Sequence, residues 1–234
     1  MLCLVQARVN SKRLPRKMIK KINGNSILEI LIDRLKLSKK ISEIIILTSK
    51  HNSDNPIVKI CKLKKIRFYR GPLKNVAKRF YDIIKNKNAK SFIRICGDSP
   101  LIDHNLIDKA ISKFNLKKYD LLTNIFPRSY PKGQSIEIVN SNTYKNYFLL
   151  FNNKNHKEHV TTYFYENFKK FKMYKLKNNI NQSNINLSIN TIDDFNKVKK
   201  LIFYSKFKAI SYKALANNYK KLFNGDKQNI LVFV

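Results

Sequence analysis

The chain has 234 residues, 43% hydrophobic and 12% aromatic, enough to bury a sizeable core in one large domain or two small ones. No apolar run approaches the ~20 residues that cross a bilayer, and Cys3, Cys61 and Cys96 are too few and too scattered for a disulfide framework or a zinc site. The formal charge of +33 raises nucleic acid or an anionic surface as partners, but the lysines are spread from end to end with no basic arm and no RNA-recognition signature. We therefore expect a solvated Lys-rich surface, with neither a specific nucleic acid nor a membrane as partner.

In chain order, Leu2 to Val5 predicts a first strand; the run stops at Gln6, too short for a secretory leader, and the expected location is cytoplasmic. The basic loop "QARVNSKRLPRK" (6–17) follows. "SILEILIDRLK" predicts a helix: Ser26 and Glu29 form a capping-box pattern, and Leu28, Leu31, Ile32 and Leu35 share one face. "EIIILTS" from Glu43 reads as a buried strand. "DNPIVKICKLKK" reads as a helix begun at Asp54 or Asn55, with Pro56 in its first turn. "IRFYRG" is a strand, residues 73–87 a helix, and "SFIRICGDSP" a strand from Ser91 to Cys96 that stops at Gly97-Asp98-Ser99-Pro100. A helix from about Asn105 to Phe114, strand "DLLTNI", the turn-rich "FPRSYPKGQ" and strand "SIEIV" come next. The expected remainder is two aromatic-rich helices near 141–151 and 156–168, a strand pair around 172–190, a helix from Asp193 to about Tyr204, and a helical tail near 211–222. Short β-rich runs alternating with helical patterns predict an α/β fold with a largely parallel sheet. With no internal repeat or linker, a single domain over 1–234 is expected.

A strand that ends in a basic loop at the edge of an α/β sheet suits a nucleoside triphosphate, because phosphates need several positive charges facing one way. Arg8, Arg13 and Lys17 are the candidates. At an effective dielectric near 20, one unit charge ~4 Å from another contributes on the order of 4 kcal/mol before solvent discounts it. Asp98 lies at the carboxyl end of a strand, the edge where open α/β sheets bind ligands. An ordinary exposed basic loop is the competing reading of the spacing alone.

"QARVNSKRLPRK" resembles the Q-A-R-x-x-S-x-R-L-P-G-K loop of the sugar-acid cytidylyltransferases, the family of the acylneuraminate and 3-deoxy-manno-octulosonate enzymes, and is nearest the branch of spore-coat polysaccharide biosynthesis protein F. "GNSILE", "RICGDSPLID", "RSYPKGQSIEI" and "EHVTTY" resemble further family segments in order and spacing, over Met1 to about Tyr204 and more vaguely to Leu222. The resemblance implies a Rossmann-like nucleotidyltransferase fold with a small antiparallel extension, and transfer of CMP from CTP to an acidic sugar, with Mg²⁺ as cofactor, for surface polysaccharide assembly. By position, Gln6, Ala7, Arg8, Ser11, Arg13 and Lys17 would line the nucleotide, with Arg13, Lys17 and Asp98 catalytic. Asp98 and Asn190 would hold the metal, and Arg128, Tyr130, Gln134, Glu137, Glu158 and His159 would face the acceptor. Residues 1–139 would form the nucleotide-binding part, 140–204 the acceptor-side and closing elements, and 205–234 a helical C-terminal tail. Relatives commonly pair as dimers; the aromatic helices between 141 and 168 offer either such a surface or core filling.

Four positions depart from the family pattern. Asn10 and Arg16 stand where Gly is usual, Ser135 where an acid is usual, and Asn190 where a second metal-binding Asp is expected. Asn offers a neutral carbonyl oxygen in place of an anion, a weaker ligand. Asp193 and Asp194 open a helix and are expected to cap it. Asn190 and Ser135 motivate the alternative, a catalytically weakened nucleotide-binding or regulatory homologue; a basic nucleic-acid binder, motivated by charge alone, ranks last.

Overall fold

The chain begins with β1 (Leu2–Gln6), apolar on both faces, as a strand between two helical layers must be. The computed structural model describes residues 1–205 and 210–223. After the basic loop and a 3-10 turn at Lys17–Ile19, a small hairpin of β2 (Lys21–Ile22) and β3 (Asn25–Ser26) leads into α1 (Ile27–Leu35). The hairpin carried no signal of its own in the sequence reading, since each strand is two residues long. The capping box at α1 forms as expected: Ser26 accepts from the Glu29 amide and the Glu29 carboxylate accepts from the Ser26 amide at 2.7 Å. Leu28, Leu31, Ile32 and Leu35 are fully buried, each contributing about 1.5–3 kcal/mol.

Three further strands with intervening helices follow: β4 (Glu43–Ser49), α2 (Asn55–Leu63), β5 (Arg67–Gly71), α3 (Val76–Lys87) and β6 (Ser91–Cys96). Then come α4 (His104–Lys113), β7 (Leu121–Thr123), β8 (Glu137–Asn140), α5 (Ser141–Tyr147), α6 (Lys154–His159), α7 (Thr162–Glu166), β9 (Met173–Lys175), α8 (Ile192–Tyr204) and α9 (Tyr212–Phe223). The sheet order is β5-β4-β1-β6-β8-β7-β9. Helical crossovers make β1, β4, β5 and β6 parallel, whereas a link without a helix returns the chain from β7 to β8 as the antiparallel strand. This is the expected α/β architecture, a mostly parallel sheet flanked by helices, with the antiparallel pair β2–β3 beside it.

Alternation along the strands divides the core. Cys3, Val5, Ile46 and Ile95 face α1, α2, α4, α8 and α9, while Leu4, Leu47 and Phe92 face α3, α5, α6 and α7. Tyr144, Phe151 and Phe164, from the aromatic segment, pack beneath that second face. Core filling is therefore the use the fold makes of them.

Three expectations need correction. The helix expected over 156–168 is two short helices, because Val160 takes a positive φ of 47° and turns the chain between α6 and α7. The helix near 141–151 closes early in a 3-10 turn at Phe148–Leu150. The strand pair around 172–190 is one strand, β9; residues 176–190 run as an irregular strap bridged once, at Lys132 and Asn186. The strap is rich in Asn, whose side chains bond nearby backbone: Asn181 accepts from the Ser183 amide and Asn186 from the Ser188 amide, offering the chain an alternative to a ladder. Residues 224–234, the end of the expected C-terminal tail, lie outside the described residues, as do 206–209.

Candidate active site

The loop after β1 is tied to the core at residues visible in its spacing. Val9, Leu14 and Met18 are buried anchors of the loop, around which the cations Arg8, Lys12, Arg13 and Arg16 are exposed and Lys17 is half-buried. Asp54, buried ahead of α2, accepts the Val9 amide at 2.7 Å on one oxygen and the Ser49 amide at 3.0 Å on the other. It is thus a loop anchor and makes no side-chain cap. The loop's left-handed residue is Arg16, at φ 57°, which accounts for the Gly usual there; its side chain is exposed and does not line the cavity described below. Asn10 has no positive φ, so its tolerance of that conformation is not needed.

The end of β6 closes on this loop. The Gly97 amide donates to the Gln6 carbonyl at 2.9 Å, and a Cβ at Gly97 would lie 2.9 Å from that same oxygen and 2.9 Å from Met18 Sδ. Only glycine allows the approach. One residue on, Asp98 points to the Lys17 ammonium at 3.8 Å and accepts from Ser99 Oγ at 3.1 Å. The strap then closes the site: the Ile189 amide donates to the Asp98 carbonyl at 2.9 Å and Lys17 donates to the Ile189 carbonyl at 2.8 Å. Asn190 Oδ1 accepts from Arg13 at 3.2 Å and from Lys17 at 3.4 Å.

These groups enclose a cavity of about 230 Å³ at the carboxyl ends of β1 and β6. Gln6, Ala7, Arg8, Ser11, Arg13 and Lys17 line one side; Asp98 and Asn190 line another, and Glu158 and His159 from α6 form the far wall. Arg8 reaches Glu158 across the mouth at 2.8 Å. A narrower hollow of about 40 Å³, shared with Val76 and Arg79, extends it behind Arg8. Burial lowers the Lys17 ammonium below its ordinary value, with Asp98 opposing and Arg13 adding to the shift. Burial pushes the Cys96 thiol up to about 11, so it meets the cavity uncharged near neutral pH.

The remaining sequence candidates are not in the cavity. Tyr130 is buried, with its hydroxyl donating to the Lys177 carbonyl at 3.2 Å. Gln134 is fully buried, donating to the Leu101 carbonyl at 2.7 Å and accepting from the Asp103 amide at 2.9 Å. Arg128 is half-buried, donating to Ser135 Oγ at 3.1 Å, and burial lowers its guanidinium below the ordinary value. Tyr130 thus reaches the strap itself, and the segment beside it packs there: Gly133 at φ 87° would place a Cβ 2.6 Å from the Leu187 carbonyl carbon, and Lys132 exchanges backbone hydrogen bonds with Ile185 and Leu187. The motif that the resemblance turns toward the acceptor packs against the strap that carries Asn190.

Glu137 is buried against Arg94, which lines the cavity and which the sequence reading passed over. Glu137 accepts from Arg94 Nη1, from Thr161 Oγ1 at 2.7 Å and from the Tyr165 hydroxyl, while Arg94 Nε donates to Gln6 Oε1 at 3.0 Å. Burial alone would lower the Arg94 guanidinium, but Cys96 and Glu137 outweigh it and the net shift is upward. The turn at Val160 sends Thr161 inward to this cluster and leaves His159 on the cavity wall. The signal available in the sequence was a lone Arg inside the apolar run "SFIRIC".

His156 pairs with Glu166 at 2.6 Å, which leaves the two histidines of α6 in different surroundings. Among the described residues no three His, Cys, Asp or Glu side chains gather as a metal site, and no helix is long and apolar enough to cross a membrane. Asp194 is an anchor, as expected: one oxygen accepts from the Asn190 and Thr191 amides, both at 2.9 Å, within the capping box of α8.

The sequence model of the cytidylyltransferase family matches residues 2–229. The chain belongs to the cytidylyltransferase family. It is a nucleotidyltransferase, and solved structures agree in fold: a cytidylyltransferase from Leptospira borgpetersenii superposes with a TM-score of 0.91 at 30% identity, covering 99% of this chain and 98% of that one. An uncharacterized protein of Methanocaldococcus jannaschii is 36% identical over 82% of this chain and 79% of its own length. The spore coat polysaccharide biosynthesis protein SpsF of Bacillus subtilis is 28% identical over 86% and 85%. For this cytidylyltransferase, the cavity between the β1 loop and Asp98 is the candidate active site.

Proposed function

We propose that this cytidylyltransferase transfers CMP from CTP to a hydroxyl of an acidic sugar and releases pyrophosphate, in the service of surface polysaccharide assembly. The observation that carries the reading is the convergence of Arg8, Arg13 and Lys17 with Asp98 around one cavity. The kinship with SpsF, whose name assigns it to polysaccharide biosynthesis, supports the setting. The motif resemblance supports the acidic acceptor.

The cavity is smaller than the ~300–1,000 Å³ of a typical small-molecule site, so it accounts for the phosphate end of CTP, with the hollow toward Arg79 extending it. As the acceptor oxygen attacks the α-phosphorus in line, negative charge grows on the departing pyrophosphate. Lys17 and Arg13 neutralise that charge with donors already in place, so no reorganisation is needed at the moment of reaction. Arg8 exchanges Glu158 for a phosphate oxygen, and Gln6, fixed by Arg94, orients its amide at the cavity wall.

Mg²⁺ fits Asp98: the cation takes oxygen ligands and keeps several waters, so one carboxylate with phosphate oxygens completes a shell. Bound there it would supply charge neutralisation on the phosphates. Glu158 and His159, which line the same cavity from α6, are assigned to the acceptor in this reading.

The test is pyrophosphate release by purified protein offered each of the four nucleoside triphosphates with Mg²⁺ and a panel of acidic and neutral sugars. Release is expected with CTP and an acidic sugar alone. Folded protein that releases none with any pairing rejects the reading.

A further inference from the structure

We propose that Asn190 is a positioning residue that holds Arg13 and Lys17 ready for the triphosphate, and is not a ligand of the metal. The inference rests on the phosphate site described above and departs from the expectation that the residue at this position coordinates magnesium.

An amide oxygen has two lone pairs. Those of Asn190 Oδ1 are both engaged, by Arg13 Nη2 at 3.2 Å and Lys17 Nζ at 3.4 Å. A divalent cation at that oxygen would have to displace one of two positive side chains and sit beside the other. The orientation of the amide is also held from behind. Asn190 Nδ2 donates to Ser188 Oγ at 3.2 Å, Ser188 Oγ donates to Asn186 Oδ1 at 2.7 Å, and Asn186 Nδ2 donates to Asp194 Oδ1 at 2.7 Å. Every proton in this relay points from Asn190 toward Asp194. Reversing the amide would set an NH₂ group against two cations and an oxygen against an oxygen whose proton is already committed.

The arrangement separates charge from position. The relay's negative charge rests on Asp194, which is further occupied by the Asn190 and Thr191 amides. What Asn190 turns toward Arg13 and Lys17 is a neutral acceptor, so this contact fixes the two cations without neutralising them; the carboxylate facing Lys17 is Asp98, at 3.8 Å. A carboxylate at position 190 would instead pair with both and compete with the ligand. The strap adds a second neutral acceptor of the same kind, the Ile189 carbonyl on Lys17. The departure from the family pattern is thus a different solution for the same place: a hydrogen-bonded cation pair where a second metal carboxylate is expected.

The experiment compares wild type, Asn190→Ala and Ser188→Ala by calorimetry with inorganic triphosphate and with CTP, both in EDTA, followed by Mg²⁺ titration of pyrophosphate release. Asn190→Ala should weaken metal-free triphosphate binding by about tenfold, the size of one charge-assisted hydrogen bond. Ser188→Ala, which keeps the acceptor and loosens its orientation, should weaken it by less. The Mg²⁺ concentration for half-maximal release should be the same in all three proteins. Metal-free binding equal in the three, or a raised Mg²⁺ requirement in Asn190→Ala, overturns the inference. If triphosphate binding depends on Asn190 while no nucleotide gives transfer, the inference stands and the proposed reaction falls. If triphosphate does not bind wild type, the inference falls with the phosphate site.

Discussion

Two groups of cations meet at this cavity and are held in opposite ways. On the loop side, Lys17 and Arg13 lean on neutral oxygens, the Ile189 carbonyl and the Asn190 amide, with Asp98 no nearer than 3.8 Å. Behind the cavity, Arg94 is paired directly with Glu137, which also takes hydroxyl donors from Thr161 and Tyr165. Arg94, closed in behind the cavity, has its charge matched by a carboxylate, because an isolated charge out of water is severely penalised. A cation meant for a ligand must be oriented and left charged.

The contrast can be broken first at its structural end. Glu137→Ala leaves Arg94 buried and unpaired and should destabilise the fold by about 3–5 kcal/mol, read from chemical denaturation. A loss below about 1 kcal/mol would mean that Arg94 finds water or the cavity instead. At the functional end, Lys17→Ala should leave stability nearly unchanged and lower turnover by ~10² to 10³, the effect of removing one preorganised transition-state donor. A near-normal rate rejects its role. Gly97→Ala joins the two ends, since the added methyl meets the Gln6 carbonyl and Met18 Sδ at 2.9 Å. It should cost about 1–3 kcal/mol and depress nucleotide binding together with stability. Smallest is Glu158→Gln, which releases Arg8 from an exposed pair. With surface pairs contributing about 0–1 kcal/mol, KM for the nucleotide should change by less than about fivefold.

The pH dependence sharpens the same point. Because burial lowers the Lys17 ammonium, the folded protein releases that proton at a lower pH than the unfolded chain does. Stability from this group therefore rises with pH between the lowered folded value and the ordinary 10.5. Function runs the other way, because the neutral amine no longer attracts phosphate. Nucleotide binding measured against pH should show an alkaline limb that begins below the ordinary lysine range and moves up when Lys17 is replaced by Arg.

Sequence alone determined the parallel strands with the helices between them and the residues of one wall of the cavity. Periodicity, the capping box at Ser26 and the stop at Gly97 are local signals, and so is a strand ending in a loop with five cations within twelve residues. What only the tertiary structure decided is how distant segments share that cavity. The segment around Gly133 packs backbone to backbone on Leu187, with Tyr130 and Gln134 buried on either side of it. Asn190 reaches Arg13 across 177 positions because the strap closes on Asp98. Arg94 is tied to Glu137 because β6 and β8 pair antiparallel with those two residues in register. None of these has a periodic signature, since a long-range hydrogen bond depends on the relative placement of two backbones and leaves no mark in the spacing of either.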